Sequence, residues 1–413
     1  MAPIEPGTTR VDAATARRDA VNALGVLGRF LVLGCVGFGG PTAHVALFER
    51  ELVVRRRWID PHGFASLLAL SIAIPGPSSS QLGFALGYQR AGLLGGLAAT
   101  VGFTIPSLVL MTCAVLGLSH AADARAAGWM LGLHAAAAGV VMLAFIAMAR
   151  SHLVGPGRAS VAVLATIVAL TCHAPWLPIA TIAAAACLGL LLSPDARPHE
   201  APPPLRLPSR ATTAAAAMLL LALVAGSLVL STMPDRGARL LAALIQAGSL
   251  VIGGGHVVLP LLERSVVDAG LLDQSLFAGG YALSQAVPGP LFSIASFLGA
   301  THGLPGGHLA LLAWSAACTT ALMLPGMLIL LVAMRGWHGL AAWSGAGRML
   351  AGVAAAVTGL LAAAWIDPIA SSLDWGGRTT VPCILVVVVL SRLRVPMPIV
   401  IALCAGMGWL LGP

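Results

Sequence analysis

The stretch that decides the fold reads Gly37-Phe38-Gly39-Gly40-Pro41-Thr42-Ala43-His44, followed by Pro75-Gly76-Pro77-Ser78-Ser79-Ser80-Gln81. Both clusters break helices, and both lie within segments otherwise apolar enough for a membrane. The pair returns in the second half of the chain as Gly253-Gly254-Gly255-His256 and Pro288-Gly289-Pro290. A broken element that recurs in order is read as one functional device present twice.

The surroundings fix its solvent. Of 413 residues, 58% are hydrophobic and only 9% are charged, too few charges to cover a soluble protein of this length. Apolar runs of about 20 residues recur from end to end, the length that crosses a hydrocarbon core. The expected fold is therefore an all-α polytopic membrane protein. A transmembrane β-barrel is excluded, because alternating segments of about 10 residues are not evident. The net charge of +8 comes from arginines at the ends of apolar segments, which points to topology and not to nucleic acid. Seven cysteines stand singly in apolar stretches without metal-ligand spacing, so no disulfide frame, metal or cofactor is expected. No small-residue cleavage site follows a short apolar core near the amino terminus, so the first apolar segment is expected to stay in the mature protein.

The organisation expected from the chain is a polar lead at 1–21, a first repeat at 22–192 and a proline-rich linker at 193–210. A connecting transmembrane helix at 211–232 and a second, inverted repeat at 233–413 complete it. The offset between halves is nearly constant. Glu49-Arg50 falls on Glu263-Arg264 at 214, and Pro75-Gly76-Pro77 on Pro288-Gly289-Pro290 at 213. Pro106 falls near Pro325 after a short insertion.

Loop charge orients the halves. The loop after the first glycine break carries Arg50, Arg55, Arg56 and Arg57 and is placed in the cytoplasm. Its counterpart, with Glu263, Arg264, Asp268 and Asp273, is placed outside. The topology that satisfies nearly all the charges folds each broken segment into a helical hairpin with the Gly/Pro cluster at its tip. Both hairpins of the first half enter from the cytoplasm, both of the second from outside, and nine full spans alternate around them.

Backbone polar groups in lipid must be satisfied, so such breaks survive only where protein or water surrounds them. Matching broken helices in two halves point to a midplane substrate site. The second arm of a hairpin opens with free N–H groups and the positive end of its dipole, which together attract anions. After Pro77 those donors belong to Ser78, Ser79, Ser80 and Gln81; after Pro290 they belong to Leu291, Phe292, Ser293 and Ile294.

Phe38-Gly39-Gly40-Pro41-Thr42-Ala43-His44, Trp58-Ile59, and Pro75-Gly76-Pro77 with the run to Gly87 resemble the chromate transporter family. Gly253-Gly254-Gly255-His256-Val257-Val258-Leu259-Pro260 and Ser284-Gln285-Ala286-Val287-Pro288-Gly289-Pro290 are similar to the same family's carboxyl-terminal half. The resemblance covers nearly all of the chain after residue 22 and matches the long, two-domain type. It implies a multi-pass protein of a bacterial inner membrane that exports chromate, driven by the membrane potential or the proton gradient. One position departs: the family's usual Gln three residues before the first Pro-Gly-Pro is Ile72 here, while the second half keeps Gln285.

The candidate substrate-binding residues are Gly39, Gly40, Thr42, His44, Pro75, Gly76, Pro77, Ser78, Ser79, Ser80 and Gln81 in the first half. In the second they are Gly254, Gly255, His256, Gln285, Pro288, Gly289, Pro290 and Ser293. The serines could equally cap a helix after a proline turn, and the histidines could simply bond a neighbouring carbonyl. Glu49, Arg50, Glu263 and Arg264 are candidates for coupling or gating, with interfacial anchoring as the alternative. Arg90 reads as a topology anchor and His134 as a packed core histidine.

The function expected is secondary active transport of a tetrahedral oxyanion, since a nucleotide-binding loop is absent and the chain is not read as an enzyme. Sulfate uptake by symport, a passive anion channel and an intramembrane enzyme are the alternatives. The partners expected are chromate or sulfate, coupled protons and the bilayer. A homodimer is left open, and nucleic acid is not a partner.

Overall fold

The computed structural model describes residues 8–120, 124–172, 177–192, 205–251, 262–263, 265–267, 269–342, 344–371 and 373–411. Among them there is no strand. The α-helices are α1 (Thr8–Val36), α2 (Gly40–Phe48), α3 (Pro61–Ala73), α4 (Ser78–His120), α5 (Ala124–His152), α6 (Pro156–Thr171), α7 (Leu177–Leu192) and α8 (Arg210–Ser231). The second half holds α9 (Arg236–Leu250), α10 (Gln274–Ala286), α11 (Ile294–Gly303), α12 (Gly307–Ala342), α13 (Ser344–Ala364), α14 (Thr380–Arg392) and α15 (Met397–Leu411). The chain is an all-α polytopic membrane protein.

Local chemistry sets several starts. Asp60 accepts the Gly63 amide at 2.9 Å with Pro61 at the first helical position. Ser209 caps α8 by accepting the Thr212 amide at 3.0 Å, and Asp235 caps α9 by accepting that of Ala238 at 2.7 Å. The first helix begins within the lead, at Thr8, so the polar lead and the first arm are continuous.

The broken segments fold back on themselves. Arg29 on α1 pairs with Glu51 beyond α2, and the Phe30 and Phe48 rings lie 5.5 Å apart, so α1 and the Gly40–Arg55 arm form a hairpin with its tip at Gly37–Gly40. Trp58 and Arg90 close the base of the next hairpin, the guanidinium lying 5.7 Å from the ring centre. In the second half, Arg236 and Arg239 at the start of α9 donate to the carbonyls of Gly270 and Ala269 at 2.9 and 3.4 Å. The tip of that hairpin, with Gly254, Gly255 and His256, lies outside the described residues, as does Arg264.

Two long helices carry the hairpins. Helix α4 is interrupted at Ala91–Gly92, so its first arm (Ser78–Arg90) turns back along the span that follows. Gly87 and Gly95 meet there, each occupying the space a Cβ of the other would need. The span starts beside Arg206, whose guanidinium crowds Gly92, and its far end packs Met111 and Val115 against Phe297 and Leu311. Helix α12 runs the other way. It starts beside Gly303, and its far end reaches the first half, where Arg335 donates to the Pro208 carbonyl and Trp337 to Ser66 Oγ.

Among the described residues, five segments are long and apolar enough to cross a membrane: Ser78–Gly117, Gly128–His152, Arg210–Ser231, Leu291–Trp337 and Gly347–Asp367. The other four expected spans are short. Helices α6, α7, α14 and α15 have 16, 16, 13 and 15 described residues, which at about 1.5 Å per residue is less than a core of about 30 Å. They work as pairs on the opposite half: α6 and α7 pack on α13, while α14 and α15 pack on α5.

Candidate functional site

The tips meet at the centre through backbone bonds exchanged between the halves. The Gly76 amide donates to the Val251 carbonyl at 2.6 Å, and the Gly289 amide donates to the Gly37 carbonyl at 2.9 Å. Val251 and Gly37 occupy corresponding places before the two glycine clusters, at an offset of 214. Both donors need a left-handed backbone, with φ of 131° at Gly76 and 106° at Gly289, which glycine adopts without a Cβ clash.

Each Pro-Gly-Pro tip also sits on the long helix of the other half, just after its internal proline. Gly76 and Pro77 pack on Gly326, next to Pro325; Gly289 packs on Ser107, next to Pro106.

His44 ties the first glycine break to this centre. It is fully buried, with Nε2 2.9 Å from the Gly37 carbonyl and Nδ1 3.3 Å from Ser79 Oγ. A carbonyl only accepts, so Nε2 carries the proton and, in the neutral ring, Nδ1 accepts from Ser79. The Gly37 carbonyl thus receives both His44 and the Gly289 amide. The Phe103 ring stands edge-on to the imidazole at 5.0 Å.

The helix after Pro77 makes its first backbone bond from Gln81 N–H to the Pro77 carbonyl, at 2.8 Å. The amides of Ser78, Ser79 and Ser80 are left without a backbone acceptor among the described residues, as at any helix start. Their side chains differ. Ser78 is half-buried and Ser79 is engaged with His44, whereas the buried hydroxyl of Ser80 has no partner among the described residues. In the second half the buried hydroxyl of Ser293 also has none. Ser80 and Ser293 correspond at the offset of 213, each three residues beyond the second proline of its tip. A buried polar atom without a partner costs free energy, so these two corresponding hydroxyls are places where the tips hold unmet hydrogen-bonding capacity.

Gln81 is fully buried and donates through Nε2 to the Pro75 and Gly326 carbonyls at 2.7 and 2.8 Å. Its Oε1 has no partner. Gln285 is buried with its side-chain amide against Tyr281. Ile72, at the corresponding position of the first half, is 53% exposed, so the two positions do not face equivalent surroundings.

The ionic residues lie at the hairpin bases. Glu49 and Arg50 are exposed. The carboxylate that turns inward is Glu51, paired with Arg29, with Arg56 Nε at 2.7 Å and with Arg55 Nη1 at 3.2 Å. Burial would raise its pKa, but the three guanidiniums outweigh burial and hold it below the usual carboxylate value. Glu263 is buried and accepts from Gln274 Nε2. Sequence reasoning singled out Glu49 and passed over Glu51; the signal was there in the arginines on either side of it.

An apolar cavity of about 230 Å³ lies between α4 and α12, lined by Phe84, Thr104, Ile105, Thr319 and Met323 among others. It includes none of the tip residues and opens past the exposed Leu97 and Val101 to the lipid side.

A family profile described as "Chromate transporter" matches residues 24–190 and again 238–409. The chain belongs to the chromate transporter family. Among its relatives is a chromate transport protein of Pseudomonas aeruginosa, 29% identical over 347 residues, covering 83% of this chain and 80% of that protein. A probable chromate transport protein of Synechococcus elongatus is 28% identical over 72% of this chain and 74% of its own length. A chromate transport protein of Cupriavidus metallidurans is 28% identical over 72% of each chain. No solved structure matches. The two stretches matched in this chromate transporter family member each contain one glycine break and one Pro-Gly-Pro tip. The family is one of transporters, not of enzymes.

Proposed function

We propose that this protein is a secondary active transporter that exports chromate from the cytoplasm across a bacterial inner membrane, driven by the membrane potential or the proton gradient. The observation that carries the reading is the matched pair Ser80 and Ser293, two buried hydroxyls without a partner among the described residues, at corresponding helix starts of the two halves. A tetrahedral oxyanion accepts hydrogen bonds on every side, and helix N-termini supply them with a favourable dipole. The four tips hold no Lys or Arg, so the anion is held by dipoles, weakly enough to be released.

The inverted relation of the halves is supported by the long helices. Each starts at the base of its own half's hairpins and ends at the base of the other's, which puts the two bases at opposite ends of antiparallel spans. Alternating access then comes from movement of the tips against the shared centre. Proton coupling, through His44 and its counterpart region, and a homodimer belong to the same reading.

Inverted membrane vesicles containing the protein, given labelled chromate and labelled sulfate with and without an imposed proton gradient, test the proposal. Gradient-dependent accumulation of chromate is expected. Accumulation of sulfate in preference would shift the substrate, and accumulation of neither would overturn export.

A further inference from the structure

Gln81 carries a constraint on the form of the transported anion. Its Nε2 lies within hydrogen-bond distance of two carbonyl oxygens, Pro75 at 2.7 Å and Gly326 at 2.8 Å. Carbonyls only accept, so the NH2 group must occupy that position and the amide cannot be turned round. Both of its protons are spent on holding the tip. The remaining atom, Oε1, is a fixed acceptor, buried and without a partner among the described residues, on the residue that follows Ser80 in sequence.

A fully deprotonated oxyanion has no hydrogen to give that oxygen. Placing two acceptors together, one of them charged, is repulsive in a site from which water is largely excluded. A dianion buried without a cation is costlier still, and the four tips contain no Lys or Arg to offset it. The hydroxyls of Ser80 and Ser293, without a partner among the described residues, suit the unprotonated oxygens, while Gln81 Oε1 suits one O–H.

Resting on the reading of the tips as an oxyanion site, we propose that they select the singly protonated oxyanion, hydrogenchromate in the case of chromate, with its O–H donating to Gln81 Oε1. The dianion takes one proton from cytoplasmic water before binding, crosses as a monoanion, and returns the proton to water on the far side. One negative charge moves per turnover instead of two.

Other groups that titrate must be separated from this. His44 on α2 reaches the tip through Ser79. Tyr281 on α10 lies next to Gln285. Asp19 and Arg29 on α1, Asp60 and His62 at the start of α3, Tyr88 and Arg90 on the arm itself, Arg206, His302 on α11, and His308 and Arg335 on α12 lie outside the tip sequences. His256 is the other titratable residue of the tip sequences.

The test is initial chromate uptake into inverted vesicles at a fixed imposed potential, with pH varied equally on both sides and chromate well below saturation. Sulfate, which stays a dianion across this range, is run in parallel. Uptake of chromate is expected to rise about tenfold between about pH 8 and about pH 6, following the protonated fraction, while sulfate stays low throughout. His44→Gln with His256→Gln is expected to lower the rate but keep the rise. Chromate uptake that is flat or falls on acidification, sulfate uptake equal to that of chromate, or loss of the rise in the histidine variant would each overturn selection of the protonated form while leaving oxyanion transport standing. Uptake of neither anion at any pH would overturn the transport reading itself.

Discussion

The Gly76 amide donates to the carbonyl of Val251 at 2.6 Å, joining the Pro-Gly-Pro tip of the first half to the residue just before the glycine cluster of the second. The mirror bond, Gly289 to Gly37 at 2.9 Å, joins the halves the other way. Each half therefore completes the other's break. Backbone groups that would otherwise be stranded at membrane depth are paired by the opposite repeat. The tips are held by main-chain bonds, in which the hydroxyls of Ser80 and Ser293 take no part.

Gly76→Ala and Gly289→Ala should both destabilise the protein, because each places a Cβ on a left-handed backbone against a neighbouring chain. A cost of about 1–3 kcal/mol for each is expected, read as a lower midpoint of thermal unfolding in detergent. Gly270→Ala, also at positive φ but with open space around it, tests the strain without the crowding and should cost less. Equal melting for all three would contradict the importance of the tip contacts.

Glu51→Gln leaves Arg29, Arg55 and Arg56 facing one another. Since Arg55 and Arg56 are largely exposed, the loss is discounted to on the order of 1–2 kcal/mol. The sign with pH follows from the direction of the shift. A carboxylate held below its usual pKa stabilises the fold above the ordinary carboxylate range, and that stabilisation is lost as pH falls through the depressed value. The gap in melting temperature between wild type and Glu51→Gln should therefore be full near neutrality and close in acid. A gap that widens in acid would assign the cluster another role.

Arg56→Cys and Asp273→Cys, placed singly in a cysteine-free background, should react with a membrane-impermeant thiol reagent from opposite sides of the membrane. Both residues are exposed at hairpin bases. Labelling from the same side would remove the inverted arrangement.

Gln285→Ala should weaken chromate affinity about tenfold, the effect of removing one hydrogen bond to a charged ligand. Ile72→Ala, at the corresponding but exposed position, should change it by no more than about 0.5 kcal/mol. Equal effects, measured as the concentration of chromate that half-saturates uptake, would mean that the two copies share one role.

Much of this was legible before any coordinates. Glycine and proline break helices in any context, so the three breaks within the described residues and the first-half hairpins could be read from residue type alone; the second glycine break lies outside the described residues. Facing direction could not. Ser78, Ser79 and Ser80 follow one another at about 100° steps, and on a helix apolar on every side nothing in the sequence says which turns inward. The structure turns Ser79 to His44 and buries the hydroxyl of Ser80, a choice hinted at only by its alignment with Ser293. Glu51 was hidden for a related reason. The arm runs as a π-helix from Glu49 to Arg55, which shifts the register and brings the second glutamate inward in place of the first. Helices α6, α7, α14 and α15 read as spans because they are apolar, although they hold only 16, 16, 13 and 15 residues.

The most direct measurement compares energised chromate accumulation in inverted vesicles for the wild type and for Ser80→Ala with Ser293→Ala, at matched levels of inserted protein. The account predicts strong accumulation by the wild type and, in the double variant, a loss greater than tenfold with melting temperature retained. Undiminished accumulation by the double variant would contradict the placement of the anion between the two tips.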